Sequence, residues 1–228
     1  MIGIICAMEV EADAVRALLR DPREETVSGV RFTCGTVSGK DVVLAVCGVG
    51  KVYAALCTEA MILKYSPDAI VNVGVAGTLT PELSIGDVAV GTAAVCHDMD
   101  TSPFGDPPGF ISGIGVFTPL SEDLAERLLE ILKEQGLKGI PGVIASGDRF
   151  VWRSSDKNRI TKHFGAVVCE MEGQAIAQTC FVNRTPCAII RSVSDNADGV
   201  AADFENFKFL AAENAARVIT AFLASLSE

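Results

Sequence analysis

Three short stretches put carboxylates where an apolar run stops. CAMEVE follows the run at 2–6 with Glu9 and Glu11, CEMEG follows the run at 166–169 with Glu170 and Glu172, and RSVSDNAD closes the last run with Arg191, Ser194 and Asp195. Carboxylates are costly to bury unless something pairs with them or uses their charge. Two more runs end in glycine turns, CGVGK at 47–51 and NVGVAG at 72–77. Gathered in one place, these residues offer up to four carboxylates, one arginine and several backbone N–H groups, with no metal-ligand set and no nucleophilic Ser or Cys beside a histidine. That is equipment for acid and base chemistry at a sugar-like centre. Cleaving a glycosidic bond through a cationic transition state needs one group to protonate the leaving group, a carboxylate to activate water, and hydrogen bonds that strengthen as positive charge develops.

Taken singly, each stretch has a plainer reading. Glu9 and Glu11 serve as first-turn acids opposing a helix dipole. CGVGK is an ordinary glycine turn and lacks the spacing of a Walker loop, and NVGVAG lacks the GxGxxG spacing of a dinucleotide fingerprint. Asp195 alone reads as a helix cap.

The elements that must carry these residues alternate in type. Runs at 2–6, 30–37, 42–47, 69–77, 87–95, 142–147, 166–169 and 187–193 read as strands, several apolar on both faces as in sheets covered from two sides. Helical patterns fill Glu9–Leu19, Val52–Lys64, Ser121–Gln135, Asp156–His163, Met171–Thr179 and Phe204–Leu226. Ser121 followed by Glu122 and Asp123 is a good helix start. The expected architecture is a single α/β domain over 1–228, a three-layer α/β/α sandwich around a mixed central sheet, with ligands collecting at the carboxyl ends of strands. The Gly- and Pro-rich stretch 97–119 reads as a long ordered surface loop; its Phe104, Phe110 and Phe117 need cover, either from a neighbouring subunit or by folding back.

Composition sets the outer bounds. A chain that is 49% hydrophobic with mean hydropathy +0.36 can bury a large core, and a net charge of −10 repels nucleic acid and anionic lipid. The apolar start MIGIICA is too short and too acidic in its flank for a signal segment, so a cytoplasmic location is expected. Eight cysteines, at 6, 34, 47, 57, 96, 169, 180 and 187, have no CxxC pair and read as buried hydrophobes in a reducing compartment.

With these residues in view, the sequence resembles the 5′-methylthioadenosine/S-adenosylhomocysteine nucleosidases of the nucleoside phosphorylase superfamily. The resemblance rests on six motifs in the family's order: IGIICAMEVE, GVGKVYAA at 48–55, NVGVAGTL at 72–79, SGDRFV at 146–151, EMEGQAIAQ at 170–178 and RSVSDNAD at 191–198. It implies hydrolysis of an N-ribosidic bond without cofactor or metal, with a part in methionine salvage. Glu11 would be the general base on water, with Arg191 and Glu172 fixing that water. Asp195, held by Ser194, would protonate purine N7, which calls for a desolvated carboxyl that keeps its proton. Phe150 would stack on the purine, Val151 read its edge, Met171 lie on the ribose, and Glu172 accept from its hydroxyls. Glu170 is left between a place in the base or ribose site and a structural role at the turn. Val75, Ala76 and Gly77 would line the site, and Met8, Val49 and Phe204 would wall the 5′-alkylthio pocket. Phe104, with Pro107 nearby, would complete that pocket in the other subunit of a homodimer, through loop 98–110.

The chain departs from the family at Val75, where a small hydroxyl residue is usual, at Cys6, Cys47 and Gly173, and in a shorter 98–110 loop. Three rivals keep the fold but change the outcome. A phosphorylase would place phosphate at CGVGK and Arg191, although Glu11 opposes an anion there. A sensor would keep the pocket without turnover. A nucleosidase for a futalosine-type substrate keeps the catalytic logic, and Asp195 rather than Asn favours a 6-amino base, leaving aminodeoxyfutalosine open.

Overall fold

A computed structural model describes residues 1–199 and 202–226. Ten strands and six helices alternate along the described chain. The strands are β1 (Ile2–Cys6), β2 (Arg20–Val27), β3 (Val30–Val37), β4 (Lys40–Val46), β5 (Ala69–Thr78), β6 (Val88–Cys96), β7 (Thr118–Pro119), β8 (Gly139–Ser146), β9 (Ala166–Glu170) and β10 (Cys187–Asp195). The helices are α1 (Glu9–Arg16), α2 (Lys51–Tyr65), α3 (Glu122–Glu134), α4 (Ser154–Phe164), α5 (Gly173–Asn183) and α6 (Ala202–Ser225).

The strands apolar on both faces are buried on both faces, because successive side chains alternate across a sheet. Ile4, Val42, Leu44, Val71 and Val73 face α1, α3 and α6 through Val15, Leu128 and Phe222. Their neighbours Ile5, Val43, Ala45 and Ile70 face α2 and α5 through Met61, Cys57 and Ile176. The expected mixed α/β architecture with helices on two sides is therefore present. Ser121 accepts the Leu124 N–H at 3.4 Å and caps α3. Among the described residues no helix is long and apolar enough to cross a membrane.

Three features differ from the sequence expectation. The sheet is not simply open: β5 pairs with β1 over its first residues, 69–72, with β10 along most of its length and with β9 at its end. The path β5–β10–β6–β8–β9 thus returns to β5, and five strands close into a ring. Each of the five contributes to one buried cluster, with Ala76, Ala89 and Ala94 beside Ile144, Val168 and Ile189. So narrow a ring leaves room for small side chains. Second, RDPREETV forms β2, an exposed edge strand on β3. Third, α5 begins at Gly173 rather than Met171, since Met171 and Glu172 occupy a turn after β9.

In the 97–119 segment Ser102–Phe104 form a single 3-10 turn, and Phe104 is 89% exposed, so it does not fold back on its own domain. Phe110 is half-buried and Phe117 exposed.

Candidate active site

The ends of β1, β4, β5, β9 and β10 converge on one cavity of about 250 Å³. Its floor is the glycine-bearing end of β5. Glu11 reaches it from the first turn of α1: Oε2 accepts the N–H groups of Ala7 at 2.8 Å and Met8 at 2.9 Å, and Oε1 accepts the Val75 N–H at 3.1 Å. The bond to Met8 is the return half of a capping box, so the helix start aims the carboxylate. Gly74 makes room for it, as a Cβ there would lie 2.8 Å from Oε1. Burial pushes the Glu11 carboxyl up, and the Arg191 charge and the three N–H groups offset only part of that.

Asp195 stands three residues further along the same floor. Its Oδ2 is 2.9 Å from the Ser194 hydroxyl, which also lies 3.3 Å from the Ala76 carbonyl. Its Oδ1 accepts the Ala197 N–H at 2.9 Å, and Ala197 itself takes a left-handed φ of 55°. Gly77 clears the space beside it.

The two glutamates of CEMEG have separate surroundings. Glu170 is enclosed: it takes the Arg191 guanidinium at 2.5 Å, the Ser146 hydroxyl, and the N–H groups of Glu172 at 3.1 Å and Gly173 at 2.7 Å. Arg191 is also bound to the Asn72 side chain and to the carbonyls of Asn72 and Ile190, and it lies beneath the cavity rather than on its lining. A buried ion pair is tolerable when most of its remaining donors and acceptors are filled in this way; the Arg191 Nε is the buried donor here without a partner among the described residues. Glu172 has one polar anchor, the Gly50 N–H at 2.8 Å on Oε1. Burial first, and then the charge of Glu170, push its carboxyl up to about 8. One guanidinium cannot balance three carboxylates in so buried a site, so the least-bonded one keeps its proton longest.

The walls are apolar. Met8, Val49, Val75, Phe150, Met171 and Phe204 line the cavity, with Ala76, Gly77 and Val151 at its base. Phe150 and Phe204 meet edge to face, centroids 5.7 Å apart. Every site residue expected from the sequence lies on this lining except Arg191, Phe104 and Pro107; the last two stand exposed on the 97–119 loop. Sequence reading missed Ala7, Arg149 and Cys169, each adjacent to a recognised motif residue. The α2 start is also more occupied than expected, since the Gly50 N–H serves Glu172 and the Lys51 N–H serves Asp148 at 2.8 Å. Among the described residues no group of three or more His, Cys, Asp or Glu is placed to hold a metal ion.

A partly closed mixed sheet with a carboxylate-lined cavity at its strand ends defines a member of the phosphorylase superfamily, whose family model matches residues 1–224. The 5′-methylthioadenosine/S-adenosylhomocysteine nucleosidase of Staphylococcus carnosus (strain TM300) is 38% identical over 228 residues, 99% of this chain and 100% of the relative. The nucleosidase of that name from Neisseria meningitidis, solved with methylthio-immucillin-A, aligns with TM-score 0.95 at 36% identity over 98% of each chain. The native futalosine hydrolase of Helicobacter pylori strain 26695 aligns with TM-score 0.95 at 35% identity, over 98% of this chain and 97% of that one. Within the superfamily, the chain belongs to the 5′-methylthioadenosine/S-adenosylhomocysteine nucleosidase family.

Proposed function

We propose that this chain hydrolyses the N-ribosidic bond of 5′-methylthioadenosine and S-adenosylhomocysteine, releasing adenine and the 5′-thio-ribose. The observation that carries this reading is the pairing of Glu11 and Asp195 across the β5 floor, each against a glycine. Three residues of strand separate their contact points, on the order of 10 Å, a span that fits a water on one side of a ribosyl bond and a purine on the other.

Glu11, held by three backbone N–H groups with its carboxyl shifted toward a better base, takes the proton of the attacking water. Arg191 acts from below, by its charge on Glu11 and Glu172 and by fixing Glu170. Asp195, oriented by Ser194 and Ala197, donates to purine N7 as adenine leaves. Phe150 stacks on the base, with Val151 at its edge. Met171 covers the ribose, and the free Oε2 side of Glu172 takes its hydroxyls. Met8, Val49 and Phe204 receive the 5′-alkylthio group. Val75 gives its backbone N–H to Glu11, as any residue but proline would there, and brings no hydroxyl beside the water.

Phosphorolysis would need open N–H groups for phosphate at the α2 start. Those of Gly50 and Lys51 are spent on carboxylates, which favours water as the nucleophile. The likeness to a futalosine hydrolase keeps aminodeoxyfutalosine as a second substrate to be measured.

The working unit is a homodimer in which Phe104 and Pro107 of loop 98–110 complete the neighbouring 5′ pocket. Support comes from Phe104 and from the outer face of α2, where Val52, Tyr53, Leu56 and Leu63 are all exposed. Seven of the eight unpaired cysteines are buried, in keeping with a reducing cytoplasm.

Adenine release from the three nucleosides, with and without phosphate, tests the reading. Release from methylthioadenosine in phosphate-free buffer is expected, and strict dependence on phosphate overturns hydrolysis. Solution mass at micromolar concentration checks the dimer.

A further inference from the structure

Lys51 stands where three of the site's segments meet, yet it is absent from the cavity lining. Its Nζ lies 2.5 Å from Asp98 Oδ1, 3.3 Å from Cys96 Sγ and 3.8 Å from Asp148 Oδ2. Its backbone N–H donates to Asp148 Oδ1 at 2.8 Å. Asp98 closes the ring by accepting the Asp148 N–H on Oδ2 at 2.8 Å and the Cys96 thiol on Oδ1 at 3.1 Å. Lys51 and Asp98 keep only 21% of their side-chain surface exposed. Burial works against the Asp98 charge, but the bonds from Lys51, Cys96 and Asp148 outweigh it and hold the carboxyl down at about 2. This is a network in which each charge has several fixed partners, unlike an isolated surface pair of small worth.

Lys51 and Asp148 are near neighbours of groups at the cavity, and Asp98 stands at the root of the adjoining loop. Gly50, just before Lys51, donates to Glu172. Phe150 and Val151 follow Asp148 by two and three residues. Asp98 begins the loop that carries Phe104. We propose that Lys51, Asp98 and Asp148 form a positioning clasp that sets the α2 start, the base-side wall and the root of the 98–110 loop relative to one another. Lys51 holds the two aspartates together by neutralising them. Without its ammonium, two carboxylates share one corner and push the 146–151 segment away from Glu172. The catalytic part of this inference rests on the roles proposed above for Glu172 and Phe150.

The test compares Lys51→Met, Lys51→Arg, Asp98→Asn and the Lys51→Met/Asp98→Asn pair by steady-state adenine release and by amide hydrogen exchange of the unliganded protein. Lys51→Met is expected to raise KM for methylthioadenosine about tenfold or more with a smaller fall in kcat. It should also speed exchange in 146–151 while leaving α3 unchanged. Lys51→Arg should restore both, and the double variant should be no worse than Lys51→Met, because the uncompensated carboxylate is gone. Unchanged KM and exchange in Lys51→Met, failure of Lys51→Arg to restore either, or additive losses in the pair would overturn the clasp. Should Lys51→Met fail to fold, Asp98→Asn, which keeps the shape and removes one charge, carries the same readouts: a raised KM and faster exchange in 146–151 support the clasp, and wild-type values of both overturn it. A wild-type protein that releases no adenine sinks the functional reading alone, since the exchange measurement still judges the clasp.

Discussion

Gly77 lies so close to Asp195 that a Cβ at position 77 would stand 2.7 Å from Oδ1 of the carboxyl and 3.0 Å from the Ala197 Cβ. Nothing on that side can give way easily, because Ala197 is itself buried and its N–H holds Asp195. Gly77→Ala should therefore move the carboxyl while β5 stays paired. The expected loss in kcat is roughly 100-fold, with a stability cost of about 1–3 kcal/mol. Turnover and thermal unfolding of the variant check this, and a wild-type kcat would show that the carboxyl tolerates displacement.

Asp195→Asn keeps the shape and the acceptor for Ala197 but removes the proton donor. Turnover should fall by about 10²–10⁴ while nucleoside affinity stays near wild type. Calorimetric titration with methylthioadenosine beside a rate assay separates the two. Retained turnover would take the acid role away from Asp195.

Glu11→Gln keeps the side-chain volume but discards the base, and one of its N–H contacts turns into a clash between donors. A loss of similar size is expected. In the wild type the Glu11 carboxyl is pushed above its ordinary value of 4.5, so the acid limb of the kcat/KM profile should fall at a pH above 4.5. A profile that stays flat down to 4.5 would contradict that assignment.

Glu172 ties function to stability in opposite directions. Its carboxyl titrates near 8 in the folded protein against an ordinary 4.5, so between those values the folded state holds a proton that the unfolded chain has released. Stability must then fall as pH rises through that window and level off above it. Glu172→Gln mimics the protonated form and keeps the Gly50 bond. It should unfold like wild type near pH 5 and be more stable at pH 9, by up to a few kcal/mol. The same variant should lose both affinity and rate, because the ribose contacts and the water position share that carboxyl. Equal unfolding curves at pH 9 would place the titration elsewhere.

Much of this site could be read before any coordinates because its chemistry sits where apolar runs stop. CAMEVE, CEMEG and RSVSDNAD announce a change from burial to function in the residues themselves, and their six-motif order fixed the family. The glycines of NVGVAG were visible, but their purpose was not: Gly74 and Gly77 matter through carboxylates 63 and 118 residues away, from α1 and β10. The clasp was hidden for the same reason, as Lys51, Asp98 and Asp148 are joined only by the fold. β2 escaped because an exposed edge strand needs no apolar face, so RDPREETV carries no period-2 signal. Ring closure escaped because strand order leaves no trace in hydropathy. The separation of Glu170 from Glu172 depended on Arg191 choosing the former.

β5 belongs at once to the open part of the sheet and to the closed ring: β10 holds it along the stretch that backs Glu11 and Asp195, and β9 joins on its other side at Gly77. The groups proposed to receive the 5′ substituent hang from helix starts: Met8 before α1, Val49 before α2, Phe204 early in α6. On the roles proposed above, Val49 and Phe204 stand on mounts apart from the reacting centre, while Met8 shares the α1 start with Glu11. A change of 5′ tail would then call for edits at the α2 and α6 starts, with the strand that backs Glu11 and Asp195 left as it is.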